Sequence, residues 1–295
     1  MKAIVTAPGI RLKSSSVETT MFDRLVANVT THFDRANHDA RIFRDEGRIF
    51  VEAEETEMPA VVETLMTIPG IKAIMPCVET DRSLEAIEQA IPGVIEGIEA
   101  ETFGIDAKRV GEHDLGSREI EQTIGAVVED LTDWDVDLDD PDCRIRIEAR
   151  YEKAFIYTDR FEGVGGLPIH PENRVVVPLR DRLDCFAAYL LMKRGCEVTP
   201  VVLDNEQEGL EEAIQSLQQY QPALKLLTLS AESWQDAVTS ALEHVDAEAV
   251  GLGVCVDDLP MDEDWNLDVP VLTPVSGHTE AQALDGYTAM LHPDF

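Results

Sequence analysis

Three groups of residues could do chemistry in this chain. The first is a set of cations: Lys108, Arg109, Arg118, Arg144, Arg146 and Arg150. Arg144, Arg146 and Arg150 occupy positions of one parity in RIRIEAR, so a strand there would turn all three to one face. Planar guanidinium groups in a row suit phosphate oxygens. Pattern alone favours a plainer account, a solvated face paired with Glu119, Glu121 and Glu148. The second group is the turn Leu179, Arg180, Asp181, Arg182, Leu183, Asp184 and Cys185, between an apolar β-branched run (Val175, Val176, Val177) and a helical pattern. A turn after the first strand of an α/β domain is where phosphate binds free N–H groups at a helix N-terminus. Close approach of backbone to phosphate calls for glycine, and this turn has none. Arg180 and Arg182 could hold an anion by charge, but the residues favour a degenerate turn without nucleotide. The third group is the pair of thiols Cys185 and Cys196. Placement at a helix N-terminus is expected to lower the pKa of Cys185.

Other chemistry finds little support. Cys77, Cys143, Cys185, Cys196 and Cys255 form no CxxC pair and do not cluster with histidine, so reduced, mostly buried thiols are expected and no metal. His170, His244 and His278 are isolated, and no Ser-His-Asp or metal-ligand grouping is visible.

The charge balance narrows the setting. Acidic residues number 58 against 24 basic ones, for a formal net charge of -34. They are spread along the chain, as suits a halophile's protein held soluble in high salt. Such charge ordinarily argues against nucleic acid; in molar salt both the repulsion and the counterion-release drive fade, leaving shape, hydrogen bonds and stacking. No run approaches 18 apolar residues, and MKAIVTAPGIRLK lacks a signal-peptide core. The expectation is a cytoplasmic protein with no membrane partner.

The elements that must position these groups follow from periodicity. Met1–Ala7 reads as a strand, 17–33 as a helix, 40–44 and 48–53 as strands around the punctuation Asp45-Glu46-Gly47, 58–67 as a helix and 71–77 as a strand. This β-α-β-β-α-β order is the ferredoxin-like arrangement. A helix over 83–96, a strand over 102–110, a helix over 117–131 capped by Ser117, and paired strands over 144–150 and 154–158 come next. Beyond a Gly-rich joint, strands and helices alternate: strands at 175–177, 197–203, 224–229, 249–254 and 269–272, helices from Leu183 and over 206–219 and 233–243. That pattern is a parallel α/β sheet.

Several of these stretches resemble the tRNA 4-thiouridine synthases, the tRNA sulfurtransferase family. Ser117-Arg118-Glu119-Ile120, Ile124-Gly125 and Val136-Asp137-Leu138 before Pro141-Asp142 are similar to the THUMP domain, an RNA-binding module of tRNA-modifying enzymes. GRIFVEA and PGIKAIMPC resemble the family's ferredoxin-like domain. Gly163, Gly165, Gly166, Leu167 and Pro168 match its GxGGLP joint, and Ala187–Gly195 its AAYLMMKRG helix. The family's ATP-pyrophosphatase loop S-G-G-x-D-S lies between those two. In the ungapped register its Ser and Gly residues fall on Leu179, Arg180 and Asp181; a one-residue shift recovers only Asp184, with Cys185 for Ser. The family's TGxxxGQVASQT segment has GLGVCVDDLPMDEDW in its place. PVLRPLxG is echoed at Val269–Gly277, but the Asp-Lys pair after it reads Thr279-Glu280.

The resemblance implies an α+β part followed by an α/β part: a ferredoxin-like domain (1–80), a THUMP domain (81–162), a joint (163–172) and a degenerate ATP-pyrophosphatase-like, Rossmann-type domain (173–295) of the adenine nucleotide alpha hydrolase kind. It implies binding of the tRNA acceptor region through the six cations, with an active tRNA-modifying enzyme as a further partner. Three altered segments imply lost adenylation and sulfur transfer and no cofactor. The alternatives are an active sulfurtransferase with a rearranged loop, using ATP and Mg, or a scaffold that binds no RNA.

Overall fold

The computed structural model describes residues 1–11, 14–45, 48–111, 116–204, 209–259, 265 and 267–292. The chain divides into two compact units interleaved in sequence: Met1–Thr6, Asp39–Ala60 and Ile74–Phe161 form one; Ala7–His38, Val61–Ala73 and Glu162–Phe295 form the other.

The first stretch runs β1 (Lys2–Thr6), α1 (Pro8–Arg11), α2 (Ser15–Ala36), β2 (Arg41–Asp45), β3 (Arg48–Glu52), α3 (Met58–Met66) and β4 (Ala73–Asp81). The expected ferredoxin-like order holds, with the short α1 added. Of the turn Asp45-Glu46-Gly47, Glu46 and Gly47 lie outside the described residues. Next come α4 (Leu84–Ile95), β5 (Thr102–Val110), α5 (Ser117–Leu131), β6 (Asp135–Val136), β7 (Cys143–Arg150), β8 (Lys153–Tyr157) and β9 (Phe161–Glu162). Among the described residues these strands form one sheet in the order β2-β3-β1-β4-β8-β7-β5-β6, with β9 beside β4. Ile87, Ile91 and Ile95 of α4 and Ile120, Ile124 and Val128 of α5 bury against Phe103, Ile145, Ile147 and Ile156. Their helical spacing is what the apolar periodicity predicted. The sheet curls: Phe50 of β3 packs on Phe155 of β8 at 4.9 Å, although β1 and β4 lie between those strands in the sheet order.

The second unit holds a parallel sheet. Its elements are β10 (His170–Pro178), α6 (Arg182–Lys193), β11 (Cys196–Leu203), α7 (Glu211–Tyr220), β12 (Leu227–Leu229), α8 (Trp234–Val245), β13 (Ala249–Gly251), β14 (Val271–Leu272) and α9 (Glu280–Leu291). The strand order is β12-β11-β10-β13-β14, every neighbouring pair parallel. The order reverses between β10 and β13, so the crevice at their C-terminal ends is the place where such sheets bind ligands. The joint has a steric cause. A Cβ on Gly166 (φ 82°) would lie 2.1 Å from the Lys193 carbonyl oxygen, and the next residue, Leu167, donates its N–H to that same oxygen at 2.9 Å.

Two sequence expectations are corrected and one helix is added. The cap of α5 is Gly116, in extended conformation, and Ser117 is the first helical residue; Glu119 reaches back to the Gly116 N–H at 3.4 Å. The helix expected over 206–219 begins at Glu211, with Glu206–Glu208 outside the described residues. Helix α9 was not anticipated, though Thr279 with Gln282 caps it and Ala283, Tyr287 and Met290 give its buried face.

One buried group makes stability depend on pH. His32, 6% exposed on α2, has its pKa pushed down to about 4 by burial, against a hydrogen bond to the Tyr220 backbone that raises it. Between pH 6.5 and about 4 the unfolded chain takes up a proton that the folded chain refuses. Stability is therefore full above 6.5 and falls on acidification, by about 3 kcal/mol in all. In His32→Gln, denaturant melts from pH 7 to 4.5 should lose most of that slope; an unchanged slope would assign it to other groups.

Candidate functional site

The crevice at the end of β10 is filled by its own residues. Leu179 is buried, and Asp181 rather than a glycine starts α6. Asp181 Oδ1 accepts from the N–H groups of Leu183 (2.8 Å) and Asp184 (3.1 Å). These are the free donors that would otherwise meet a phosphate. So the segment read as a loop, Leu179–Cys185, is a loop only to Asp181, and Arg182 to Cys185 are helix. Asp184 is fully buried. It accepts from Arg180 N–H (3.1 Å), Arg180 Nε (2.7 Å), Arg180 Nη2 (3.0 Å) and the Gly253 N–H (2.7 Å). Burial pushes the Asp184 carboxyl up, and the Arg180 guanidinium and Gly253 N–H pull it back.

Gly253, just past β13, closes the crevice from the other side of the switch point. A Cβ on it would lie 2.2 Å from Leu183 C and 2.4 Å from Asp184 N. Backbone here lies directly against backbone. Arg180 also lies over the Trp265 ring (5.6 Å) and Arg182 over Tyr287 (5.9 Å), so both arginines pack on aromatic faces. Cys185 contradicts its expectation. It is fully buried, and burial, with the charges of Asp184 and Asp181, pushes its thiol up to about 12. Cys196 is likewise raised by burial. Neither thiol has the low pKa of a reactive cysteine.

The six cations divide between two faces of the other unit's sheet. Strands β5 and β7 run parallel with Asp106 opposite Arg146, Lys108 opposite Glu148 and Val110 opposite Arg150. Lys108 therefore shares a face with Arg144, Arg146 and Arg150, while Arg109 turns to the α5 side. There its Nε donates to Ser117 Oγ at 3.3 Å, and Arg118 stands exposed in the first turn of α5. Lys108 is 69% exposed, with Asp106 at 4.0 Å. Arg144 donates to the Asp139 carbonyl (2.8 Å) and Arg146 to that of Thr158 (3.2 Å).

Arg150 departs from expectation: it is buried, 3.8 Å from Glu148, and does not present its guanidinium to solvent. Glu148 is held by Arg48 (2.7 Å) and by the Tyr157 hydroxyl (3.3 Å). The curl of the sheet folds this part of the face inward. Glu121 and Glu119, expected as ion-pair partners, instead accept from the Ala107 and Gly116 N–H groups. Sequence reasoning missed Arg48; its alternation with Phe50 in RIFVE was the available signal.

The VDL…PD stretch has a structural job. Asp142 Oδ2 accepts from Glu101 N, Thr102 N and Thr102 Oγ1, each at 3.0 Å, and these bonds hold its carboxyl below its ordinary value. Asp137 accepts from the N–H groups of Asp139 and Asp140. Together they fasten the β6–β7 connection to the start of β5.

Among the described residues, no group of three or more His, Cys, Asp and Glu could hold a metal ion, and no helix is long and apolar enough to cross a membrane.

Two family models match the chain: the ThiI ferredoxin-like domain over residues 4–74 and the THUMP domain over 81–159. A probable tRNA sulfurtransferase of Methanobrevibacter smithii is 32% identical over 254 residues, covering 80% of this chain and 65% of that protein. The chain spans less than two thirds of the length of such curated relatives. PH1313 from Pyrococcus horikoshii has a crystal structure similar to this chain at a TM-score of 0.82 and 29% identity, covering 96% of this chain and 97% of that one. A 4-thiouridine synthetase crystallised with RNA and bound ATP is similar at a TM-score of 0.80 and 20% identity, covering 98% of this chain and 84% of that one.

Proposed function

The chain is a THUMP-domain protein that resembles the tRNA sulfurtransferases, and from that premise we propose that it binds the acceptor region of tRNA and neither adenylates it nor transfers sulfur. One observation carries the second half: the Asp181 carboxylate occupies the N–H groups at the start of α6, and Gly253 is packed against that same turn. A carboxylate there repels phosphate where the family's glycine loop would bind it. The cations offered to RNA are Lys108, Arg109, Arg118, Arg144 and Arg146; Arg150 supports them from the interior. An active tRNA-modifying enzyme is the natural protein partner of such a module, as companion or competitor. The charge of -34 supports a high-salt cytoplasm as its setting.

Calorimetry in molar KCl with magnesium, with and without unmodified tRNA, tests this. The expected result is no heat with ATP and clear binding to tRNA. Arg109→Glu combined with Arg146→Glu should weaken tRNA binding by about tenfold or more, read by fluorescence anisotropy. Unchanged affinity would sink the site assignment.

A second reading has its own support, the fold shared with a synthetase that binds ATP. In that reading the chain is an active sulfurtransferase using ATP and Mg through a rearranged loop. Stoichiometric ATP binding or tRNA-dependent pyrophosphate release would establish it. Silence toward both ATP and tRNA would leave a scaffold that acts through protein contacts.

A further inference from the structure

A cavity lies at the opposite end of the strands of the parallel sheet. Strand β10 opens at His170 and ends at Pro178, so its two ends stand roughly 26 Å apart. The crevice described above is at the closing end. At the opening end is a cavity of about 350 Å³, lined by Ser16, Val17, Thr20, Met21 and Arg24 of α2, by Leu167 and Pro168 of the joint, and by His170, Asn173, Arg194 and Gly195. That volume is within the range of small-molecule sites. Met21, Val17 and Leu167 give an apolar wall. Arg24, Arg194 and Asn173 give donors, and Ser16 sits in the first turn of α2, at the positive end of a 22-residue helix.

Two features point to an anion. Among the described residues the lining contains two arginines and a histidine and no carboxylate, in a chain where acidic residues outnumber basic ones by more than two to one. And Arg24 Nε is buried with no hydrogen-bond partner among the described residues. A guanidinium N–H left buried and unmet is unfavourable, and an oxyanion on Arg24 would supply the missing acceptor. The fork of an arginine matches the oxygens of a phosphate, and an apolar wall beside it suits the organic body that the phosphate is carried on.

We propose that this cavity is a binding site for a phosphomonoester on an apolar or aromatic body, the phosphate held by Arg24 and Arg194 and the body lying on Met21, Val17 and Leu167. The phosphate has two possible sources, a free nucleoside monophosphate or the 5′ end of an RNA.

The probes are AMP, adenosine, inorganic phosphate and a short 5′-phosphorylated oligonucleotide, titrated into the full chain in KCl buffer free of phosphate and sulfate. AMP is expected to bind and adenosine not. Binding of the phosphorylated oligonucleotide without AMP, lost in Arg24→Met and Arg194→Met, would keep the site and assign its source to an RNA end. Arg194→Met, an exposed position, and Arg24→Met should each weaken binding by roughly 10- to 100-fold. Arg194→Met should do so with an unchanged melting temperature, which separates recognition from folding. Adenosine binding as well as AMP, inorganic phosphate binding unaffected by both substitutions, or no binding of any probe would overturn the proposal. AMP binding unaffected by both substitutions would place AMP at the Asp181 end of the sheet and overturn the proposal, so the two sites are told apart.

Discussion

Gly253→Ala is expected to lower the melting temperature by roughly 10 °C, the effect of about 3 kcal/mol in a unit of this size. The added methyl group would sit 2.2 Å from Leu183 C, 2.4 Å from Asp184 N and 2.5 Å from Leu183 O. All three are backbone atoms at the start of α6, so no side-chain rotation relieves the overlap. Either the helix end withdraws or the segment after β13 does. Both movements break the Gly253 N–H bond to Asp184. Thermal melts followed by circular dichroism in molar KCl would read the shift. A variant as stable as the parent would mean that the two segments do not close on each other. The claim that nucleotide is shut out would then lose the contact it rests on.

Asp184→Ala should cost a comparable amount, about 3 kcal/mol. Breaking one partner of a buried pair commonly costs 3–5 kcal/mol, and the lower end applies because Arg180 remains about a quarter exposed and keeps some hydration. The substitution removes the carboxylate that both the Arg180 guanidinium and the Gly253 N–H donate to. Arg180→Ala in the same background should add little, giving a coupling of about 1–3 kcal/mol in a double-mutant cycle by urea unfolding. Strict additivity would mean that the pair does not hold the turn. The family's loop uses an acidic residue near its metal. Here the acid that aligns with it after a one-residue shift is committed to an arginine four residues earlier.

The two candidate sites were legible to different degrees. The absence of glycine from Leu179–Cys185 was visible in the sequence and led to the reading of a degenerate turn without nucleotide. What closes it was not visible. Gly253 lies 69 residues from Asp184, and nothing in GLGVCVDD says that its N–H meets a carboxylate. The pKa of Cys185 was misread for the same reason. Placement near a helix N-terminus is local and favours thiolate, but burial is tertiary and outweighs it. Among the cations, parity correctly put Arg144, Arg146 and Arg150 on one face. It could not show that the sheet curls until Phe50 meets Phe155 and Arg48 reaches Glu148, which takes Arg150 out of solvent.

The sequence by itself determined the order of the elements other than α1 and α9, the ferredoxin-like and THUMP patterns, and the parallel sheet, because apolar periodicity of two or 3.6 residues is a local signal. It also determined where glycine was needed at the joint and missing from the loop. Only the tertiary structure decided which polar groups were spent on each other. Burial and contacts with neighbours distant in the chain seal Asp184 against the Gly253 N–H and leave Arg24 Nε with no hydrogen-bond partner among the described residues.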